Sequence, residues 1–244
     1  IYAASSTSID TYRKNPKKEI DKQKKGMDNF HNYISKLNRA PKKILFTSSG
    51  AIYGETNLNS MRTDEEKISP EPNDNNDFKK IYANIKMEWE YFFNEAFPSN
   101  SIIARCFAFV GPYLPLDQHF AIGNFINDYL NKKNISVKSQ YAIFRSYMYA
   151  DDLVEWLLTL LVTDNLSQNR IFNIGSDKEI ELHDLANLFN QRNNFLETNL
   201  ANYSKTERYV PNIDLIKNKY DLKVSFDLDS SISKTINLLK SKLM

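Results

Sequence analysis

The chain has 244 residues, 41% of them hydrophobic and 25% charged, and a mean hydropathy of −0.53; it can build a sizeable core without disulfides or structural metal. Its 15 Phe and 14 Tyr argue against disorder, and its longest apolar run, Trp156 to Val162, is too short to cross a bilayer. The single cysteine, Cys106, excludes a disulfide framework and points to a reducing, cytoplasmic setting, and a net charge of +2 gives little support for a polyanionic partner.

The first six residues, IYAASS, are an apolar run followed by small residues, with neither an initiating methionine nor a signal peptide, so the chain reads as one that begins part-way through a fold. Arg13 to Lys25 is a basic stretch. Gly26 to Leu37 then sets Met27, Phe30, Tyr33, Ile34 and Leu37 at helical spacing, which predicts an amphipathic helix closed by Pro41. Lys42 to Thr47 predicts a buried strand ending in the polar Ser48-Ser49-Gly50. A surface loop is expected from Glu55 to Phe78, around the NDNND cluster, and a helix from Ile81 to Phe97 with Tyr82, Ile85, Trp89, Phe92 and Phe93 on one face. Ser101 to Val110 predicts a second buried strand, stopped by Gly111-Pro112.

Beyond Pro115 the pattern predicts a helix from Gly123 to Leu130, a short strand near Ile135 to Val137, and a helix capped by Asp151 or Asp152 that runs to Val162. FNIGS at 172–176 reads as a strand and turn, followed by helices near Leu182 to Phe195, Ile213 to Tyr220 and Leu228 to Leu239. Alternating helices and apolar strands imply an α/β fold with a parallel sheet.

Six glycines, at 26, 50, 54, 111, 123 and 175, form neither G-x-G-x-x-G nor a P-loop. The chemistry-bearing pair is Tyr82 and Lys86, at i and i+4 on one helix face. An ammonium about 4 Å from a phenolate, at an effective dielectric near 20, is attracted by about 4 kcal/mol before desolvation, which is expected to pull the tyrosine pKa toward neutrality and make it a general acid or base. Tyr129 and Lys133 share the spacing but follow no polar strand end, and read as surface helix residues. Ser48 and Ser49 instead sit where a parallel strand delivers its carboxyl end to a ligand crevice.

Five segments, FTSSGAIYG (46–54), YANIK (82–86), ARCFAFVGPYLP (104–115), RSYMYADDLVEWL (145–157) and FNIGS (172–176), resemble in order and spacing the NAD-dependent epimerase/dehydratase family, the extended short-chain dehydrogenase/reductases that act on nucleotide sugars. The likeness implies a Rossmann-like doubly wound sheet lacking its first strands. Residues 1–112 would be the remainder of the cofactor domain, and 113–244 mainly a smaller α/β substrate-binding region with segments returning to the first. The resemblance makes Ser49, Tyr82 and Lys86 catalytic, with Ser49 orienting the sugar, Tyr82 moving the proton and Lys86 holding the nicotinamide ribose. It assigns NAD or NADP to Ala3, Ala4, Ser5, Ser48, Tyr82, Lys86 and Phe107, and a nucleoside-diphosphate sugar to Ser49, Gly50, Asn124 and Arg145. The competing readings are an ordinary ion pair for Arg145 and a helix cap for Asn124. A homodimer of the complete protein and a role in surface-polysaccharide precursor synthesis are likewise implied by the family alone.

Departures from the family pattern shape the expected activity. Ala108 replaces a polar residue after Arg105-Cys-Phe, KSQYAIF replaces a glycine-rich turn before RSYMY, and Gly50-Ala51 stand where 4,6-dehydratases carry an Asp-Glu pair, which disfavours dehydration. Epimerisation and 4-keto reduction remain. The glycine loop and the acidic ribose-binding residue of the family lie upstream of anything in this sequence, so the alternative is a truncated, inactive chain that only binds sugar nucleotide or a partner subunit. His31, His119 and His183 lack ligand spacing and no metal site is expected; Cys106 reads as an inert core thiol. The basic stretch lacks interleaved aromatics and reads as solvated, with no nucleic-acid role, and Trp156, Leu157, Leu160 and Leu161 read as core or a subunit interface.

Overall fold

The computed structural model describes residues 1–6, 9–54, 78–139, 141–163, 170–196 and 205–243. Of the loop expected from Glu55 to Phe78, all but the last residue lies outside them. In chain order the elements are α1 (Ile9–Lys14), α2 (Pro16–Ser35), β1 (Ile44–Ser49), a 3₁₀ turn (Gly50–Tyr53), α3 (Phe78–Ala96), β2 (Ser101–Cys106), β3 (Phe109–Val110), α4 (Ala121–Leu130), β4 (Ala142–Ser146) and β5 (Met148–Tyr149). Then come α5 (Ala150–Val162), β6 (Ile171–Ile174), β7 (Glu179–Glu181), α6 (Leu182–Arg192), β8 (Thr206–Tyr209), α7 (Asp214–Tyr220) and α8 (Leu228–Leu243). They form two compact units: the first takes the described residues of 1–54, 65–106 and 156–174, the second those of 107–155 and 175–244. Where the sequence placed a division after 112, contacts separate the chain after Cys106.

The first unit is built on a parallel sheet of order β1-β2-β6. Ile44 pairs with Ser101 and Ser49 with Cys106, while Cys106 pairs with Ile174, so the three strands end level. The opening segment lies along the other edge of β1: Tyr2 donates to Leu45 O at 2.7 Å and accepts from the Thr47 amide at 3.1 Å. Strands β1 and β2 are buried on both faces, as continuous apolar runs require. Helices α2 and α3 cover one face through an aromatic cluster in which Phe46 stacks on Phe93 at 4.8 Å and Tyr2 packs on Phe30, Trp89 and Phe93. The fully buried rings among them, Phe46, Trp89 and Phe93, each contribute about 2–3 kcal/mol through area removed from water.

Helix α2 starts ten residues earlier than the apolar spacing suggested. Asn15 caps it, accepting the Lys18 amide at 3.0 Å, and Pro16 takes the first helical position, where its missing N–H costs nothing. The inward face of its first half is polar: Gln23 donates to Glu19 at 2.9 Å and to Tyr12 at 3.5 Å, and both Glu19 and Gln23 are buried. An apolar count cannot see that face.

In the second unit β4 lies between β7 (antiparallel) and β8 (parallel), and β3 pairs with β5. Its core joins Val110, Ile126, Tyr149, Leu185, Phe189 and Ile232. Gly111 is required here, since a Cβ would fall 2.6 Å from that of Ala150. Several expectations are corrected. Ser101 to Val110 is two strands, β2 and β3, in different sheets. Ile135 to Val137 is not a strand, because the Asn190 side chain takes both backbone groups of Ile135, accepting its N–H at 2.9 Å and donating to its carbonyl at 2.8 Å. The strand there is β4, seven residues later. Helix α5 begins at Ala150, so Asp151 and Asp152 lie in its first turn; Asp152 accepts the amides of Ser225 and Phe226 instead of capping its own helix. Tyr129 is half-buried against Phe189, and Lys133 lies beyond the end of α4.

Candidate active site

The level strand ends of the first unit present Ser49 beside Cys106, and α3 crosses below them with Tyr82 and Lys86 one turn apart. Ser49 leaves β1 extended and caps the 3₁₀ turn, its Oγ accepting the Ala51 amide at 3.1 Å. The turn closes at Gly54, whose φ of 68° belongs to the left-handed region that glycine enters without strain. The Ser49 hydroxyl lies near enough to the Tyr82 phenol to pull its pKa downward. Lys86 Nζ donates to Thr47 O at 2.9 Å and stands 5.6 Å from the Tyr82 ring centre and 5.0 Å from that of Phe46. Serine, tyrosine and lysine therefore meet at one strand end.

Burial governs the electrostatics. It pushes the Tyr82 phenol up to about 12, against a smaller downward pull from the Ser49 hydroxyl, with Cys106 adding to the rise. It pushes the Lys86 ammonium down to about 8, opposed by Cys106 and Glu90. The expected lowering of the tyrosine does not occur: desolvation is the largest influence on both groups, and Lys86 is not among the causes of the Tyr82 shift. Near neutral pH the phenol is protonated and the lysine mostly charged. Cys106 is half-buried and lies in the electrostatic reach of Lys86; burial raises its thiol to about 12, so it is not a thiolate.

The Ser48 hydroxyl, expected toward cofactor, points instead into the protein and donates to Glu90 at 2.5 Å. Glu90 pairs with the wholly buried Arg105. Neither was singled out from the sequence, although a charged residue inside an apolar strand is itself a signal, since buried arginines occur paired. Ala3 and Ala4 are exposed. Ala4 and Ser5 line a cavity of about 370 Å³ with Tyr2, Ser6, Lys22, Gln23, Gly26 and Trp89, and Ser5 Oγ is buried without a hydrogen-bond partner. Among the described residues no three His, Cys, Asp or Glu side chains could hold a metal ion.

Residues 1–175 match the family model for the NAD dependent epimerase/dehydratase family. The chain belongs to this family. It is 33% identical over 84 residues to UDP-glucuronic acid decarboxylase 1 of Arabidopsis thaliana, covering 34% of this chain and 19% of that protein. With UDP-glucuronic acid decarboxylase 6 of the same plant it shares 28% identity over 178 residues, 72% of this chain and 49% of the relative. The chain thus spans half or less of the length of these curated relatives. Among solved structures, UDP-glucose 4-epimerase of Thermotoga maritima with UDP-glucose superposes with a TM-score of 0.79 at 20% identity, over 99% of this chain and 76% of that one. UDP-glucose 4-epimerase of Thermus thermophilus with NAD gives 0.76 at 16% identity, over 98% and 74%. These likenesses establish the fold as α/β, of the Rossmann type.

Of the other family positions, Arg145, Asn124 and Phe107 fall in the second unit. Arg145 on β4 is paired with Glu207 of the neighbouring β8, donates to Phe144 O at 2.9 Å and lies 5.7 Å from the Tyr209 ring centre. Asn124 is half-buried one turn inside α4, which is capped at Phe120, so it is no helix cap. Phe107 is buried on Tyr209 at 4.6 Å. Gly50 opens the 3₁₀ turn of the first unit, and no carboxylate stands at Gly50 or Ala51.

Proposed function

We propose that this chain carries the catalytic residues of an NAD(P)-dependent enzyme that oxidises and reduces a nucleoside-diphosphate sugar at C4, as an epimerase or 4-ketoreductase. The observation that carries the reading is the convergence of Ser49, Tyr82 and Lys86 at one strand end, with Lys86 Nζ bonded to Thr47 O and 5.6 Å from the Tyr82 ring centre. Ser49 orients the sugar oxygen, Tyr82 gives or takes its proton, and Lys86 supplies positive charge beside the phenol. With the phenol protonated at neutral pH, the resting site is poised to donate a proton to a keto oxygen. NAD(P), when bound, supplies the hydride acceptor and donor and, in its oxidised form, a positive charge that favours the phenolate.

The residues fit the nicotinamide-ribose end of that cofactor. Lys86 is a buried cation at the strand ends, and Tyr82 and Lys86 would hold the group, with the buried Ser5 Oγ a further hydroxyl on the opening segment. Arg145 would meet the substrate diphosphate after exchanging Glu207 for it. The decarboxylase relatives favour testing UDP-glucuronate beside UDP-glucose, since a 4-keto sugar bearing a carboxylate at C5 is a β-keto acid, which loses CO₂ readily.

The test is turnover of UDP-glucose, UDP-glucuronate and dTDP-sugars with NAD or NADPH, alongside binding measured by calorimetry. Tyr82→Phe and Ser49→Ala are each expected to lower kcat by at least about 100-fold, the usual contribution of a positioned acid or base. Wild-type turnover retained in Tyr82→Phe, or an absence of binding to both cofactor and sugar nucleotide, overturns the reading.

A further inference from the structure

A buried ion pair stands behind Ser49, Tyr82 and Lys86, and the chemistry above does not use it. Glu90 lies one turn beyond Lys86 on α3, and Arg105 is fully buried on β2. Arg105 Nε donates to both carboxylate oxygens, at 3.0 and 3.2 Å, and Nη2 donates to Oε2 at 2.7 Å. Glu90 Oε1 also accepts the Ser48 hydroxyl at 2.5 Å. From the other end of the guanidinium, Nη1 donates to Tyr53 Oη at 2.9 Å, and Tyr53 donates to Asn173 Oδ1 at 2.8 Å.

Burying two charges is a poor route to stability, because desolvation consumes most of the Coulomb gain. The distribution of the bonds suggests another use. Ser48 directly precedes Ser49, and Tyr53 closes the turn that Ser49 caps; the carboxylate grips the first and the guanidinium the second. The segment between them, which begins with Ser49, is thus held from both sides by a pair rooted partly in the helix that carries Tyr82 and Lys86. We propose that Glu90 and Arg105 are positioning residues, which lock the Ser49 turn to α3 so that the Ser49 hydroxyl meets Tyr82. This rests on the reading of Ser49, Tyr82 and Lys86 as the reacting set. The Glu90 charge further supports the charged form of Lys86 against its burial.

Ser48→Ala and Tyr53→Phe each remove one link and leave the ion pair intact, so they test the proposal whether or not Glu90→Gln folds. Amide hydrogen exchange of Ala51, whose N–H bonds Ser49 Oγ, is read by NMR beside that of Ile103 on β2, together with kcat and KM for UDP-sugars. The expected result is exchange at Ala51 about tenfold faster in both variants with Ile103 unchanged, as local rather than global opening requires. In Glu90→Gln, a ¹³Cε titration of lysine, assigned through Lys86→Met, is expected to place the Lys86 midpoint below the wild-type value. In the active enzyme kcat falls about tenfold while KM stays within about twofold. Equal acceleration at Ala51 and Ile103, or no change at either, overturns the proposal. If the exchange effect appears but wild type turns over no sugar nucleotide, the functional reading fails while the locking of the turn stands.

Discussion

Lys86 shows how far burial, rather than pairing, decides a site's resting state. Its pKa is about 8 folded and 10.5 free, so between those values the unfolded chain keeps a proton that the folded chain has released. Stability therefore rises with pH across pH 8 to 10.5, and the full cost is present below 8. In urea titrations the stability of wild type relative to Lys86→Met should improve by about 3 kcal/mol between pH 7.5 and 10.5, the equivalent of the 2.5-unit shift. A flat difference would show that Lys86 is solvated in the folded chain. Tyr82 acts with the opposite sign: its raised pKa means that the unfolded state ionises first, so its contribution is present below pH 10 and is lost as pH rises toward about 12. The i, i+4 spacing of this pair was legible in the sequence. The dielectric around it was not, since it depends on what β1 and α2 lay over α3.

At the scale of elements, two of the misread segments share one cause, a polar side chain doing what apolar packing or backbone pairing usually does. Glu19 and Gln23 face inward on α2, which hid its first half among solvated lysines. Asn190, wholly buried on α6, occupies both backbone groups of Ile135 and removes the strand that the apolar spacing suggested there. Asn190→Ala strands two buried backbone groups and is expected to cost about 2–4 kcal/mol, read from denaturant midpoints; a loss under about 0.5 kcal/mol would mean that water replaces the amide. Strands β1 and β2 were legible because their inward residues are apolar on both faces and their polar ends are short.

Over the whole molecule the chain passes between its two units after Cys106, inside α5 after Glu155, and after Ile174. Strand β6, which completes the sheet of the first unit, is reached only after 107–155 has been laid down in the second. Neither unit is therefore a contiguous stretch of chain, and a single cooperative unfolding transition is expected. Both tryptophans, Trp89 and Trp156, are in the first unit, so their fluorescence reports that unit alone, while far-ultraviolet circular dichroism reports both. Asn190→Ala, a change in the second unit, should shift the two signals by the same amount. A shift in circular dichroism alone would mean that the units unfold independently.

What the sequence by itself determined is the class of fold and the side chains proposed to react. Hydrophobic periodicity separates strand from helix, and FTSSGAIYG with YANIK fixes a hydroxyl-bearing strand end and a Tyr–Lys helix face in one short span of chain. Only the tertiary structure decided that Ser48 turns inward to Glu90 while Ser49 turns toward Tyr82, that Arg105 joins Glu90 to Tyr53, and that Lys86 sits in surroundings dry enough to lower its pKa. Adjacent serines are indistinguishable as letters. Their opposite roles arise because successive residues of a strand face opposite sides, and which side holds a buried carboxylate is settled by residues 42 and 57 positions further along the chain.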